Sequence, residues 1–314
     1  MNESHLILGI GELLWDMLPN AAQLGGAPAN YAVMASQLGN HAVILSRIGR
    51  DDLGRDSVFR LNSLPVDTSF LQVDSAHQTG RVSVEFHDNQ PSYTIHQPAA
   101  WDYLELSDEW VKLAERANAI CFGSLAQRNP IARQTIQTLV AQTQAQCLRV
   151  FDVNLRPPFY SSEVIQESLK QATVIKMNDA ELPLVIALLG LPADESQDHL
   201  LIGARRLLHE FSTLQMVAVT CGAQGSLLVT RNDSDRNSGI PIKVADTIGA
   251  GDAFTAALTH HLLLGANLST TNLAGNLWGG WVASQSGAMP VLSDQVRTEI
   301  TGNIAMHATN SSLF

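Results

Sequence analysis

The sequence predicts an α/β fold in which helices cover both faces of a mostly parallel sheet. Strand-like and helix-like segments alternate along most of the 314 residues, as they do where crossover helices join parallel strands. The hydrophobic content of 45% is enough to bury the core of one large domain. Residues 70–104 differ, because their strands alternate like half-exposed ones with no crossover helix between them, which predicts a second, smaller sheet.

The elements of the main sheet follow from apolar periodicity and from the turn residues that bound each segment. We expect strands at 6–11, 42–47, 119–122, 148–153, 173–177, 216–220 and 226–230. We expect helices at 30–38, near 54–64, and at 108–116, 130–144 and 197–211, with mostly helical structure after Gly251. The polar run 231–239 predicts an exposed loop between two strands.

Two excursions from this alternation, at about 12–24 and 72–103, predict a small sheet that acts as a lid over a cleft. In the second excursion, strands at 79–86 and 92–96 are separated by the turn-forming residues 88–91. The sequence contains neither an internal repeat nor a low-complexity linker. We therefore expect residues 1–314 to form a single domain with this lid.

The composition narrows the class of ligand. A net charge of −11 without a basic patch argues against nucleic acid as a partner, because clustered lysines and arginines bind phosphate backbones. An acidic protein that binds phosphate has to rely on backbone amides, a few placed cations and metal ions. No stretch approaches about 18 apolar residues and the first residues lack a basic segment, so we expect no membrane partner and a cytoplasmic location.

Cysteine and histidine do not indicate a metal centre. Cys121, Cys147 and Cys221 lie in apolar surroundings without metal-ligand spacing, which predicts reduced core residues. The ten histidines show no metal-binding pattern, and His260-His261 predicts an exposed pair on a helix.

Residues 246–252, with the sequence DTIGAGD, run directly into an apolar segment that is typical of a helix. The small residues Gly249, Ala250 and Gly251 let the main chain approach a ligand, and the free N–H groups of a helix start favour an anionic oxygen. Asp252 could accept a proton from a substrate hydroxyl while the amides stabilise charge on a phosphoryl group. An ordinary tight turn with an acidic residue in the first helical turn would give the same pattern.

A second glycine turn, at 25–30, joins the first excursion to a helix. Gly26 permits close approach of a ligand to the backbone, Asn30 offers donors and an acceptor, and Asp16 offers a bidentate acceptor. Vicinal hydroxyls of a sugar need this mixture of groups. A helix start with a proline and an asparagine in its first turn is the alternative interpretation.

Polar side chains follow two further predicted strands, at the edge where open α/β sheets bind ligands. Arg156 would be a fixed cation for a phosphate or sugar oxygen, with a surface salt bridge as the alternative. Asn178 predicts a helix cap. Glu181, three residues later, either completes a capping box or orients a water on a divalent metal.

Two glycine-rich segments are weaker signals. The turn at 220–226 permits an approach to nucleotide phosphates or ribose, although a hairpin turn explains it equally well. Small residues within 274–283 let either an adenine or a neighbouring helix pack closely. The familiar GxxxxGK[ST] loop, a complete dinucleotide fingerprint and a GxSxG elbow are all missing from the sequence.

In this order and spacing, the segments resemble the PfkB, or ribokinase-like, family of carbohydrate kinases over nearly the whole chain. The two family signatures correspond to 25–54 and 246–257. The resemblance implies a ribokinase-like three-layer sandwich with a β-sheet lid, ATP as phosphoryl donor, Mg²⁺, and a sugar acceptor. It also implies that Asp252 is the catalytic base, with the amides of Gly249, Ala250 and Gly251 as an anion hole.

The resemblance assigns further residues to ligands. The positions that match sugar contacts are Asp16, Gly26 and Asn30. Asn178 and Glu181 match an NxxE motif associated with magnesium and phosphate placement, and the positions that match nucleotide contacts are Thr220, Gly222, Gly225 and Asn276. The carbonyls of Asp246 and Ile248, with Gly287, resemble a monovalent cation site for K⁺, although Val291 replaces a serine that is frequent there.

Within the family, 11–16, the Arg156 segment and 100–102 look most like fructokinases, which implies transfer to O6 of D-fructose. Arg156 also resembles the carboxylate-binding arginine of 2-keto-3-deoxygluconate kinases. The lid tyrosine and arginine of those enzymes are unmatched apart from Tyr93, which favours fructose. Another sugar, a ketogluconate or a nucleoside as acceptor, and a catalytically silent sugar or nucleotide sensor, are the alternatives. Lid pairing in this family further implies a homodimer.

Overall fold

The computed structural model describes residues 4–18, 21–87 and 90–311. The strands are β1 (Leu6–Ile10), β2 (Leu14–Leu18), β3 (Ala21–Gly25), β4 (His41–Leu45), β5 (Arg47–Gly49), β6 (Gln72–Asp74), β7 (Gly80–His87), β8 (Gln90–Ile95), β9 (Ala119–Gly123), β10 (Leu148–Asp152), β11 (Val174–Asn178), β12 (Met216–Thr220), β13 (Ser226–Thr230) and β14 (Ser234–Asn237). The helices are α1 (Ala27–Gln37), α2 (Asp52–Leu61), α3 (Asp108–Ala114), α4 (Pro130–Gln142), α5 (Ser162–Gln171), α6 (Glu181–Leu188), α7 (His199–Glu210), α8 (Ala250–Leu263), α9 (Leu268–Ala283) and α10 (Asp294–Ser311).

The described residues form an eight-stranded sheet in the order β14-β13-β12-β11-β10-β9-β1-β4. Six neighbouring strands of this sheet are parallel, namely β4, β1, β9, β10, β11 and β12. At the other edge β13 pairs antiparallel with β12, and β14 pairs antiparallel with β13. Crossover helices join the parallel strands, as the alternation in the sequence predicts. The predicted mostly parallel sheet is therefore confirmed.

Helices cover this sheet on both faces because side chains of a strand alternate between its two sides. In β1, Leu8 packs in one core with residues of α3 to α7, whereas Ile7 packs in the other. The second core receives Phe254 of α8, Trp278 of α9 and Ile300 of α10. The three-layer α/β sandwich predicted from the sequence is confirmed.

A separate four-stranded sheet has the order β3-β2-β7-β8, and it uses residues of both excursions. Strand β6 instead pairs with β5 in a small two-stranded sheet. Trp15 of β2 anchors the four-stranded sheet, because its indole N–H lies 3.0 Å from the Leu53 carbonyl and 2.9 Å from the Ser57 hydroxyl of α2. Of the predicted turn at 88–91, residues 88–89 lie outside the described residues, and Gln90 and Pro91 belong to β8.

The polar run 231–239 is not only a loop, and this prediction was wrong. Strand β14 lies within it and pairs antiparallel with β13 at the edge of the sheet. The Asn272 side chain of α9 donates to the carbonyl and the carboxylate of Asp235, at 3.0 and 2.7 Å. A polar, charged sequence is compatible with an edge strand, because one side of such a strand remains in solvent.

Two further expectations need correction. His260 and His261 are largely buried, and burial lowers both pKa values to about 4. All three cysteines are free, but only Cys121 and Cys147 are buried, whereas Cys221 is partly exposed at the end of β12. Across the described residues, none of the helices has the length and apolar character needed to cross a membrane.

Candidate active site

The predicted phosphate cradle lies at the start of α8. Gly249, which precedes the helix, has a φ of 78°, a left-handed conformation that favours glycine. A Cβ atom at this position would lie 2.7 Å from the Cα of Ala288, so a larger residue would collide with the neighbouring turn. Both conformation and space therefore require glycine here.

The three cradle amides differ in their surroundings. The N–H of Ala250 lies 3.3 Å from the carbonyl of Thr247, which is a long hydrogen bond. Within the described chain, the N–H groups of Gly249 and Gly251 donate to no other group outside the regular helix pattern. These two amides remain available for an anionic ligand at the helix start.

Asp252 lies in the first turn of α8 and contacts Asn30, one of the residues predicted to bind the sugar. The Asn30 amide Nδ2 donates to Asp252 Oδ2 at 2.7 Å, although the residues are 222 positions apart. Helix α1, which carries Asn30, packs against α8. Asn30 is buried, and its Oδ1 has no hydrogen-bond partner among the described residues. The structure thus brings the predicted base and one predicted sugar contact together.

Gly26 and Asp16 flank this contact. Gly26 has a φ of 112°, and a Cβ there would lie 2.3 Å from the carbonyl oxygen of Glu12. Asp16, on β2, lies so close to the neighbouring Gly25 that a Cβ at Gly25 would be 3.2 Å from Oδ2. Burial raises the pKa of Asp16, the Arg156 cation opposes the rise, and the Asp246 charge adds to it.

Several charges act on Asp252. Burial raises its pKa to about 6, and the negative charge of Asp152 adds to the rise. The Lys176 ammonium, the hydrogen bond from Asn30 and the Arg156 guanidinium lower the pKa. An aspartate with a pKa of about 6 is mostly ionised at neutral pH and is a stronger base than an ordinary aspartate, as a general base requires.

A buried ion pair lies against α8. Lys176 Nζ is 3.1 and 3.2 Å from the two oxygens of the Asp152 carboxylate, and the Thr255 hydroxyl donates to the same carboxylate at 2.9 Å. The Asp152 and Lys176 side chains are 5% and 10% exposed. A Cβ at Gly251 would lie 2.9 Å from Nζ, so the absence of a side chain there makes room for the ammonium.

Arg156 lies in the loop after β10 and is exposed. Its one hydrogen bond within the described residues is a 3.3 Å contact from Nη1 to the carbonyl of Leu155. Among the described residues, no carboxylate lies at salt-bridge distance from Arg156. The alternative interpretation of Arg156 as part of a surface salt bridge therefore finds no support. Its charge nevertheless lowers the pKa of both Asp16 and Asp252, and of buried Glu12.

The predicted capping box at the start of α6 is confirmed. Asn178 Oδ1 accepts from the N–H of Glu181 at 2.8 Å, and Glu181 Oε2 accepts from the N–H of Asn178 at 2.8 Å. The other oxygen, Oε1, accepts from the N–H of Leu155 at 2.7 Å. Both carboxylate oxygens are therefore engaged by the backbone, which fits contact with a metal through water and not direct ligation.

The residues predicted to contact a nucleotide lie at one end of the sheet. Thr220 ends β12, and Gly222 and Gly225 have φ values of 54° and 85° in the turn that leads to β13. The Asn276 amide already donates to the hydroxyl of Ser226 at 2.6 Å and to the Asn272 carbonyl at 2.8 Å. This leaves the Asn276 side-chain oxygen for a ligand.

The Asp246 side chain connects the three residues predicted to form a cation site. Its Oδ1 accepts from the N–H of Ile248 at 3.0 Å, and its Oδ2 accepts from the N–H of Gly287 at 3.2 Å. In the described residues, the carbonyl oxygens of all three accept no hydrogen bond, so they fit an oxygen-liganded monovalent ion. Val291, which replaces the serine that is frequent at this site in the family, is 75% exposed. The described residues contain no group of three acidic, histidine or cysteine side chains that could hold a metal.

Three buried charged residues, Glu12, Asp152 and Lys176, have no role predicted from the sequence. Glu12 is 2% exposed, its Oε2 has no hydrogen-bond partner in the described chain, and burial raises its pKa to about 7. Asp152 and Lys176 form the ion pair beside α8. A lysine inside the apolar strand segment 173–177 was the available signal, because a buried cation needs a partner.

Comparisons with known proteins identify the family of this chain. The sequence matches the pfkB family of carbohydrate kinases over residues 21–295. A sugar kinase from Pyrococcus horikoshii is 30% identical over 271 residues, which cover 81% of each chain. A fructokinase from Zea mays is 26% identical, with 82% of this chain and 83% of that protein covered.

Two solved structures extend the likeness to the fold. The ATP complex of the Pyrococcus horikoshii kinase has a TM-score of 0.80 and 26% identity, covering 95% of this chain and 99% of that one. A fructokinase from Vibrio cholerae with fructose, ADP and a calcium ion has a TM-score of 0.76 and 25% identity, with 95% and 98% covered. The family match spans well over half of the sequence, and the chain belongs to the pfkB family of carbohydrate kinases, a family of phosphotransferases.

Proposed function

We propose that this sugar kinase transfers the γ-phosphoryl group of ATP to O6 of D-fructose, which gives fructose 6-phosphate. The observation that carries the proposal is the 2.7 Å hydrogen bond between Asn30 and Asp252 at the start of α8. It joins a group suited to sugar hydroxyls to a carboxylate beside free backbone amides. A sugar hydroxyl held there would face both a base and an anion site.

In this proposal Asp252 accepts the proton of the attacking hydroxyl as the hydroxyl oxygen bonds to the γ-phosphorus, while the bond from that phosphorus to the bridging oxygen breaks and ADP leaves with the bridging oxygen. The amides of Gly249 and Gly251 donate to the phosphoryl oxygens, with Ala250 completing the cradle if its long bond to Thr247 opens. Arg156 supplies a cation on the acceptor side. The small sheet, closing as a lid, would exclude water so that the sugar is phosphorylated in preference to solvent.

ATP and a divalent ion are the proposed co-reactants. The Pyrococcus horikoshii structure contains ATP, and the Vibrio cholerae structure contains fructose, ADP and calcium. Mg²⁺ prefers oxygen ligands and usually keeps several waters, which fits a role for Glu181 through the water shell. Bound Mg²⁺ would neutralise charge on the phosphates. K⁺ at the carbonyls of Asp246, Ile248 and Gly287 is a further part of the proposal.

We also propose one domain over residues 1–314 and a homodimer that forms through the lid. In the four-stranded sheet, β3 and β8 are the outer strands, and a second subunit could cover such an edge. Sedimentation at micromolar concentration tests this, and a monomer would contradict it. A cytoplasmic location fits the free cysteines and the need for ATP.

Other acceptors use the same chemistry. The exposed Arg156, which forms no ion pair with any described carboxylate, would also suit the carboxylate of 2-keto-3-deoxygluconate. Tyr93 lies on β8 with its side chain outside the described part. A nucleoside acceptor would need no cation there. A silent sensor would bind sugar or nucleotide without transfer.

An acceptor panel tests the proposal. Purified protein is assayed with ATP and Mg²⁺ against fructose, 2-keto-3-deoxygluconate, ribose, glucose and nucleosides, with ADP release and the product as readouts. We expect the highest kcat/KM for fructose. A higher value for the ketogluconate would overturn the fructose assignment, and ligand binding without ADP release would indicate a sensor.

A further inference from the structure

The buried ion pair of Asp152 and Lys176 lies against the start of α8. In the main sheet, β10 and β11 are adjacent, and their register places Asp152 directly opposite Lys176. Both side chains point to the α8 side, because Thr255 of α8 donates to the Asp152 carboxylate. The ammonium fills the space that a side chain at Gly251 would need.

The environment of Asp252 is set by groups from every neighbouring element. Three acidic groups interact with Asp252: the carboxyl of Glu12 after β1, the carboxylate of Asp152 on β10 and the thiol of Cys121 on β9. Lys176 and Arg156 are the cations that act on Asp252, and Asn30 is its hydrogen-bond donor. Lys176 is the buried one of the two cations.

We propose that Asp152 and Lys176 are positioning residues for Asp252. The positive charge of Lys176 keeps the Asp252 carboxylate ionised. The ion pair with Asp152 holds the Lys176 ammonium in place, so that the ammonium does not form a direct ion pair with Asp252. A direct pair would occupy the oxygen that has to accept the substrate proton. This inference rests on the proposed role of Asp252 as the base.

The two residues act on Asp252 in opposite directions. Asp152 raises the pKa of Asp252 and Lys176 lowers it. Burial lowers the pKa of Lys176 itself, but the charges of Asp152, Asp252 and Glu181 outweigh burial and shift that pKa upward. Lys176 therefore stays protonated while Asp252 titrates, and its effect on the base is constant across the working pH range.

Three variants test the proposal: Lys176→Met, Asp152→Asn and the double variant. The readout is the acidic limb of kcat/KM for fructose against pH, at saturating ATP and Mg²⁺, since this limb reports the base in the free site. Loss of the cation should move the limb up by about one pH unit or more, and loss of the carboxylate should move it down. The double variant should return toward the wild-type limb.

Lys170→Met is the matched control. Lys170 is an exposed lysine in the last turn of α5, and its loss should leave the limb in place. Shifts in the same direction for Lys176→Met and Asp152→Asn, or no shift in either, would overturn the proposal. A merely structural pair would lower activity or stability without moving the limb in opposite directions. If Lys176→Met does not fold, Asp152→Asn and the double variant still decide.

A second measurement does not depend on the acceptor. Protein labelled with ¹³C at aspartate carboxyls is titrated, and the Asp252 resonance is identified by its loss in Asp252→Asn. Its midpoint should rise in Lys176→Met and fall in Asp152→Asn, and an unchanged midpoint would refute the inference. If these shifts occur while fructose is inactive, the fructose assignment fails and the positioning inference stands.

Discussion

From the hydrogen bond between Asn30 and Asp252 we predict how far the pKa of Asp252 rises in the variant Asn30→Ala. A hydrogen bond to a charged group contributes about 1.5–3 kcal/mol, and the 2.7 Å distance indicates a strong one. This bond stabilises the ionised carboxylate, so its loss raises the pKa of Asp252. At about 1.36 kcal/mol per pKa unit, the rise is about one to two units.

The acidic limb of activity should therefore move from a pKa of about 6 in the wild-type protein to about 7–8 in Asn30→Ala. At pH 7 the ionised fraction of Asp252 falls from about 90% to between about 50% and 10%. Ionisation alone then lowers kcat/KM by about 2- to 10-fold. Any lost sugar contact adds to this, but it lowers kcat/KM equally at all pH values.

The assay is kcat/KM for the acceptor between pH 5 and pH 9, with Asn40→Ala as the control. Asn40 is also buried, and its amide lies 2.9 Å from the Ala35 carbonyl and 3.1 Å from Nδ1 of His260, in the last turn of α8 and not in its first turn with Asp252. Its removal should cost stability without moving the limb. An unchanged limb in Asn30→Ala, or an equal shift in Asn40→Ala, would refute the assignment of the hydrogen bond to catalysis.

Three further predictions address the base, the cradle and the acid stability. Asp252→Asn should lower kcat by about 100-fold or more with folding intact, and near-wild-type turnover would exclude Asp252 as the catalytic base. Gly249→Ala should lose both stability and activity because of its φ of 78° and the collision behind it, whereas Gly265→Ala, with a φ of 70° in open space, should lose only stability. Burial holds the pKa of His260 and His261 at about 4, so the folded state resists their protonation. The contribution of these two histidines to stability should be complete above about pH 6.5 and should fall between there and about pH 4, and a double leucine variant that melts with the same pH dependence would contradict this.

Features set by local geometry were predictable from the sequence. The capping box of Asn178 and Glu181 needs only a three-residue spacing, and the structure confirms it. The glycine before α8 was predictable as well, because a turn that leads into a helix often needs a residue in the left-handed conformation, and Gly249 adopts it. Alternation of strands and helices likewise predicted the parallel sheet, because each strand had a clear apolar run.

Features set by register were not predictable in the same way. Asp152 and Lys176 are 24 positions apart, and they meet because β10 and β11 are neighbours with one particular alignment. A shift by one residue would turn Lys176 to the other face of the sheet. The strand within 231–239 was missed for a similar reason, since pairing with β13 and the contact from Asn272 decide its structure and not its own composition.

The charges around the cradle also limit the kind of acceptor. Arg156 acts on the carboxyl groups of Glu12, Asp16 and Asp252, which lie on the side that we propose for the acceptor, and the charge of Asp246 raises the pKa of Asp16. A phosphorylated sugar would carry about two more negative charges into this acidic region and be repelled, whereas a neutral ketohexose only has to offer hydroxyls. In the proposed function, amide dipoles would meet the γ-phosphoryl group, so the site would accept anionic ATP on one side and still select a neutral sugar on the other.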